Sequence, residues 1–242
     1  MDTLFIIMPA YNESANIRQT VENWYPIVEA HDGGGTSRLV VLNDGSTDNT
    51  LEVLQELESS RELMTVISKP NSGHGPTLIR GYHYALDSGA DYIFQTDSDG
   101  QTDPADFDRF WRRRMSYDAL FGNRTNRADG RSRKFVEKTL CRMLKHYFGV
   151  SVPDANAPYR LMRADYVRSL LPLFPEDYFL PNVMLTALGV YYGKNIRFLP
   201  VYFRKRQGGT DSVNVGKIAR IGFDSLADFR KIRKALPPQT IN

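Results

Sequence analysis

Apolar positions in the first half of the chain come in short unbroken runs, each followed by a polar loop and then by a helical stripe. Residues 4–8, 39–42, 64–67 and 91–96 are such runs, and they predict four strands. Pro9 closes the first, and a helical pattern follows it to about Glu29. Leu51, Leu54 and Leu57 share one face of a second helix, and a third runs from the 71–75 loop to about Leu86. Four strands separated by helices predict a mostly parallel central sheet, Rossmann-like, with helices on both faces.

The pattern changes after about residue 115. Pro104 opens another helix in its first turn. Residues 119–121 predict a short strand and residues 132–148 a helix, with Val136, Leu140, Met143, Leu144 and Tyr147 on its apolar stripe. Lys134, Lys138, Arg142 and Lys145 fall on the opposite side. Residues 178–189 read as helical despite Pro181, residues 196–199 and 201–204 as strands on either side of Pro200, and residues 215–234 as a basic amphipathic helix. One domain over 1–242 is expected, divided into two halves at about residue 115.

Composition adds little by itself, but the distribution of charge adds much. Residues 1–108 hold 18 acids against 5 Lys/Arg, net −13, and residues 109–242 hold 10 against 26, net +16. The basic half therefore predicts an anionic partner: phosphate groups, a membrane surface or nucleic acid. The single cysteine, Cys141, falls in a helical pattern and reads as a buried thiol rather than a disulfide or zinc ligand. The longest uncharged stretch, residues 178–193, spans 16 positions, short of a membrane span. The first strand begins too near Met1 to leave room for a signal peptide, so a cytoplasmic protein is expected.

The chemistry gathers where strands end. The run Tyr92-Ile93-Phe94-Gln95 delivers Asp97 and Asp99, two positions apart, into the loop beyond a strand. Ligands in open α/β sheets bind beyond the carboxyl ends of strands. Hard cations such as Mg²⁺ and Mn²⁺ are held between one or two carboxylates and substrate phosphates. The first two strands likewise end in polar loops, Met8-Pro9-Ala10-Tyr11-Asn12-Glu13 and Asn43-Asp44-Gly45-Ser46, whose acids could accept hydrogen bonds from a ribose or a base. Asp44 could equally cap the helix that follows, and His74 reads as a loop-bracing residue. No G-x-G-x-x-G follows the first strand, and no long glycine loop ends in Lys-Ser/Thr, which disfavours the usual dinucleotide and triphosphate folds.

MPAYNES, VLNDGSTDNT, KPNSGHG and DYIFQTDSDGQTDP follow one another in this order, and FGNRT, PDANAPYRLMR and VYFRKRQGGT continue the series. The ordered set resembles the inverting family 2 glycosyltransferases of the GT-A fold, and within them the dolichyl- and undecaprenyl-phosphate sugar transferases. The resemblance implies that Pro9, Ala10, Tyr11 and Glu13 lie beside the donor nucleotide and that Asp44 contacts its base. It implies that Asp97, Ser98 and Asp99 hold the ribose-diphosphate, with Asp97 and Asp99 binding Mg²⁺ or Mn²⁺. Arg124, Arg131, Arg133 and Arg206 fall at acceptor- or phosphate-binding positions, and Glu176 and Asp177 lie near the place of a catalytic base. Asn43 stands where relatives usually carry Asp, and the membrane-spanning tail of many polyprenyl-phosphate transferases is not found.

The implied activity is sugar transfer from a UDP- or GDP-linked donor to a lipid phosphate in cell-envelope synthesis. Transfer to a sugar hydroxyl of a growing polysaccharide is the alternative. A nucleotide-sugar-binding subunit without turnover, serving a membrane protein partner, is a third reading. The basic faces of helices 132–148 and 215–234 predict reversible association with the inner membrane face. Nucleic acid is not an expected partner, because no recognised nucleic-acid motif accompanies the basic half.

Overall fold

The computed structural model describes residues 2–126, 131–204 and 228–237. Each of the four apolar runs is a strand, and each strand is followed by a helix: β1 (Leu4–Ala10), α1 (Ile17–His31), β2 (Arg38–Asp44), α2 (Thr50–Glu58), β3 (Met64–Lys69), α3 (His74–Asp87) and β4 (Tyr92–Thr96). A 3₁₀ turn at Pro104–Asp106 leads into the short α4 (Phe107–Trp111). The second half contributes β5 (Ala119–Asn126), α5 (Arg131–Phe148), β6 (Tyr159–Arg163), α6 (Ala164–Leu170), α7 (Pro181–Tyr191) and β7 (Ile196–Tyr202). Residues 228–235 are helical, and the rest of the expected 215–234 helix lies outside the described residues.

The seven strands form one sheet in the order β3-β2-β1-β4-β6-β5-β7. β1, β2, β3 and β4 pair in parallel, as the alternation of strands and helices predicts. β6 runs antiparallel to both β4 and β5, so β5 points the same way as β4. Successive side chains of a strand point to opposite faces. Phe5, Ile7, Val40, Leu42 and Ile93 therefore pack with α3, α5, α6 and α7 on one face. Leu4, Ile6, Met8, Leu39, Val41 and Phe94 pack with α1, α2 and α4 on the other. This two-sided burial is why the strands read as unbroken apolar runs.

Several elements differ from the pattern, β5 running on to Asn126 among them. β1 continues through Pro9 to Ala10, because beyond Ile7 it has no β4 partner and behaves as an edge, where proline is tolerated. β7 is one strand across Pro200 for the same reason, being the edge strand of the sheet. β6 has no counterpart among the expected strands: Arg160 occupies a core-facing position and breaks the apolar alternation of Tyr159-Arg160-Leu161-Met162. Pro181 opens α7 instead of interrupting it.

α3 meets the start of α7 at a point with no spare room. A Cβ on Gly75 would lie 2.4 Å from the Tyr178 carbonyl oxygen and 2.5 Å from Phe179 Cα. Backbone cannot swing aside as a side-chain tip can. Gly75→Ala is expected to destabilise the fold by about 1–3 kcal/mol, visible in a thermal melt as a drop of about 2–4 °C per kcal/mol. An unchanged melting temperature would show that this junction yields freely.

Candidate functional site

The chain leaves β1 toward β2 and β3 on one side and returns to β4 on the other. A crevice opens at such a switch point, outside the carboxyl ends of the strands. The carboxyl ends of β1, β2 and β4 and the loops after them meet there, bringing together Pro9, Ala10, Tyr11, Glu13, Asp44, Asp97, Ser98 and Asp99.

The loops after β1 and β2 are tied to each other. Asn12, in the left-handed region at φ 53°, donates its backbone N–H to Ser46 Oγ at 3.0 Å and accepts from Thr47 N at 2.8 Å. Ser14 N donates to Asp48 Oδ2 at 3.1 Å, and Glu13 N to Thr50 Oγ1 at 2.9 Å. Burial alone would raise the Asp48 pKa, but the hydrogen bonds from Thr50 and Ser14 outweigh it and hold it below the usual carboxylate range. The Glu13 carboxylate is buried and accepts from Asn16 Nδ2 at 2.9 Å, bracing the start of α1. Tyr11, by contrast, is 45 % exposed, leaving an aromatic ring at the mouth of the crevice.

Asp44 does not cap α2: the N-cap position is Asn49, and Asp48 just before it accepts from Thr50 N at 3.0 Å. Asp44 turns instead to the β3–α3 loop, accepting from Ser72 N and Gly73 N, both at 2.9 Å, and pairing with Lys69. Asn43 donates to Ser68 Oγ at 3.0 Å and accepts from Ser46 N at 3.3 Å. An ionised aspartate there could only accept. Lys69, which opens the KPNSGHG motif but was given no role there, thus enters the site.

Beyond β4, Asp97 is 29 % exposed. Its Oδ1 accepts from Gln95 Nε2 at 3.2 Å and meets His74 Nε2 at 3.3 Å. Among the described residues Oδ2 accepts no hydrogen bond. Lost hydration lowers the His74 pKa, but the bond to Asp97 and the charges of Asp97, Asp44 and Asp99 prevail and raise it. His74 thus braces the loop and also touches the site. Asp99 Oδ1 accepts from Gln101 N at 3.1 Å. Gln101 is zipped to the strand end beyond β7, through Arg204 N to its carbonyl at 2.8 Å and its Nε2 to the Arg204 carbonyl at 3.1 Å.

Among the described residues, no group of three or more His, Cys, Asp or Glu could hold a metal with protein atoms alone. Two half-buried carboxylates suit instead a hard cation whose remaining ligands come from a substrate diphosphate and water.

The basic side is built differently. Arg124 lies near the carboxyl end of β5, on the same edge of the sheet as the crevice. Its guanidinium is clasped by Asp154 through Nε at 2.7 Å and Nη2 at 2.8 Å, with Glu137 at 3.3 Å. Arg131 and Arg133 fall in the first turn of α5, and Arg206 lies outside the described residues. Glu176 and Asp177 are exposed, on the turn whose next residues, Tyr178 and Phe179, press on Gly75 beside His74. Cys141 is half-buried, its thiol pushed up to about 12 by burial and by Glu137, as suits an inert structural cysteine.

Comparison with known proteins agrees with this geometry. Residues 5–171 match Glycosyl transferase family 2. The chain belongs to that family. Curated relatives within reach include the undecaprenyl-phosphate 4-deoxy-4-formamido-L-arabinose transferases of Pectobacterium carotovorum (24 % identical, 91 % of this chain, 65 % of theirs) and Shewanella sediminis (23 %, 95 % and 67 %). The chain thus spans about two thirds of the length of the curated relatives it matches. Among solved structures, the glucosyl-3-phosphoglycerate synthase of Mycobacterium tuberculosis, in complex with Mn²⁺, UDP-glucose and phosphoglyceric acid, superposes with a TM-score of 0.69 at 19 % identity. That match covers 98 % of this chain and 81 % of the other. Residues 1–349 of TarS from S. aureus superpose at 0.56, with 20 % identity over 83 % of this chain and 59 % of that one. These likenesses establish the GT-A fold of the family member described here. No helix among its described residues is long and apolar enough to cross a membrane.

Proposed function

We propose that this family 2 member transfers a sugar, with inversion, from a nucleotide diphosphate sugar to a polyprenyl-phosphate or related envelope glycolipid. The observation that carries the reading is the Asp97–Asp99 pair at the switch point, with Asp97 held through one oxygen and open at the other. Mn²⁺ or Mg²⁺ on these carboxylates would neutralise charge developing on the leaving diphosphate. Tyr11 offers its exposed ring to the base, and the Asp44–Lys69 wall closes that end of the crevice. Arg131, Arg133 and Arg206 would supply the acceptor side with positive charge, and Arg124, its charge balanced by Asp154 and Glu137, would act there as a hydrogen-bond donor to phosphate. The likeness to undecaprenyl-phosphate transferases supports the lipid acceptor. A phosphate acceptor is already ionised near neutral pH and needs no general base.

The exposed Glu176 and Asp177 favour a second reading, transfer to a sugar hydroxyl, which would need a base within hydrogen-bond reach. Calorimetry with UDP and GDP, with and without Mn²⁺, tests donor binding. Product analysis with a donor panel and polyprenyl phosphate then separates the readings, since a sugar-1-phosphoryl lipid is acid-labile and a glycan linkage withstands milder acid. Nucleotide binding without transfer or donor hydrolysis would leave only the third reading, a binding subunit.

The basic faces lead to a separate expectation. Lys138, Arg142 and Lys145 are exposed on α5, and Arg230, Lys231, Arg233 and Lys234 on the helix at 228–235. Phe229 joins the two helices, its ring 5.7 Å from that of Phe148 and 6.3 Å from that of Tyr147. The apolar stripes, with Leu144, Phe148, Phe229 and Ile232, face the core, so cations alone are offered outward. Each contributes about 1 kcal/mol near an anionic surface. Liposome flotation is expected to show binding to anionic vesicles, little to neutral ones, and release at high salt. Equal recovery with both lipids would remove electrostatic docking from the account.

A further inference from the structure

Gln95 is a polar residue in the middle of the sheet, on a strand with neighbours on both sides, and it is 0 % exposed. Its amide is not isolated. Tyr82 Oη, on α3, donates to Asn182 Oδ1 at 3.0 Å; Asn182 Nδ2, on α7, donates to Gln95 Oε1 at 3.1 Å; Gln95 Nε2 donates to Asp97 Oδ1 at 3.2 Å. Tyr82 and Asn182 are also buried, at 0 % and 2 %. The chain admits one polarity. An ionised carboxylate only accepts, so Gln95 must turn its NH₂ toward Asp97 and its oxygen toward Asn182. Asn182 must then use its own NH₂ on Gln95, and its oxygen requires a donor, which the Tyr82 hydroxyl supplies. Desolvation raises the Tyr82 pKa further above neutrality, which keeps that hydroxyl a donor.

Such a chain is costly unless complete, since each buried amide left unsatisfied loses about 1–3 kcal/mol. An apolar side chain at position 95 would continue the run Tyr92-Ile93-Phe94. The polar chain spends its three members on one oxygen of Asp97, while the other oxygen has no partner among the described residues. We propose that Tyr82, Asn182 and Gln95 are positioning residues that lock Asp97 Oδ1 as an acceptor and so present Oδ2 to a divalent cation in the crevice. The inference rests on the donor-binding reading given above. It also ties α7, which follows the turn bearing Glu176 and Asp177, to the carboxylate at the end of β4.

The test uses the full chain and Mn²⁺ itself as probe. Calorimetry measures the Mn²⁺ concentration that half-saturates UDP or GDP binding, alongside nucleotide affinity without metal and the melting temperature. Gln95→Met keeps the shape of the side chain and removes the donor; Tyr82→Phe removes only the first hydroxyl. Gln95→Met is expected to raise the Mn²⁺ requirement about tenfold, the loss typical of groups that orient metal ligands, with metal-free affinity unchanged. Tyr82→Phe should raise it about two- to threefold. The double variant should be no worse than Gln95→Met alone, because once the last link is cut the first has nothing to deliver. Unchanged Mn²⁺ requirements in both single variants, whatever happens to the melting temperature, would overturn the proposal by reducing the chain to a packing role. Additive effects of the two changes would overturn it as well. A wild-type chain whose nucleotide binding ignores Mn²⁺ would instead remove the underlying reading, an outcome separable from the others because it needs no variant.

Discussion

Asp99→Asn is expected to lower sugar transfer by about a thousandfold and to leave the melting temperature within a degree or two of the wild type. The change keeps the shape of the side chain and keeps an oxygen that can accept from Gln101 N, so the turn after β4 should hold. What it removes is one negative charge from the place proposed for the cation and the donor diphosphate. Metal stabilisation of a leaving diphosphate is worth several kcal/mol, and about 4 kcal/mol corresponds to about three orders of magnitude in rate. Initial rates of transfer or donor hydrolysis, measured beside a thermal melt, check both halves of the expectation. A variant that turns over at the wild-type rate would place the metal elsewhere.

Asp154→Ala should act on stability. Asp154 is buried and accepts from Arg124 Nε and Nη2, from Arg124 N at 3.4 Å and from Asn156 N at 3.1 Å. Removing it takes the bidentate partner from a guanidinium that is itself largely buried and weakens its hold beside Glu137. Breaking a buried pair from one side costs about 3–5 kcal/mol. In a chain of this length each kcal/mol lowers the melting temperature by about 2–4 °C, so a loss of about 10 °C is expected in a thermal melt. Asp154→Asn, which keeps acceptor oxygen in place, should lose less. A shift of under 2 °C for the alanine variant would show that Arg124 is held well enough without Asp154.

The parallel half of the fold and its crevice were legible because local signals agreed there. Apolar runs, turn residues and acids recur in step through β1, β2 and β4, and the acids fall in the loops that close the crevice. The second half was less legible because its polar residues are placed by tertiary contact. Arg160 is fully buried, stacks 3.7 Å above the Phe121 ring and donates to Thr186 Oγ1 at 2.7 Å. A buried arginine defeats any pattern that assigns charge to the surface, and β6 was hidden with it. Gln95, following the apolar run of β4, was a signal present in the sequence, since a buried polar residue there demands a partner. Its partner Asn182 lies 87 positions away, and Tyr82, the donor to Asn182, lies 100 positions from Asn182.

By itself, then, the order of residues determined the alternation of strands and helices, the parallel pairing of the first four strands and the acidic loops at their ends. Those features follow from periodicity and turn chemistry within short windows, where one residue constrains the next few. Only the tertiary structure decided which hydrogen bonds each acid makes: that Asp44 faces Lys69 and the β3–α3 loop and does not cap α2, that Arg124 is clasped by Asp154, and that Asp97 is held from beneath by Gln95. A carboxylate looks the same in sequence whether it caps a helix, pairs with a lysine or waits for a cation. Its role is set by the donors that the rest of the chain brings within about 3 Å, and those donors come from elements that are distant in sequence.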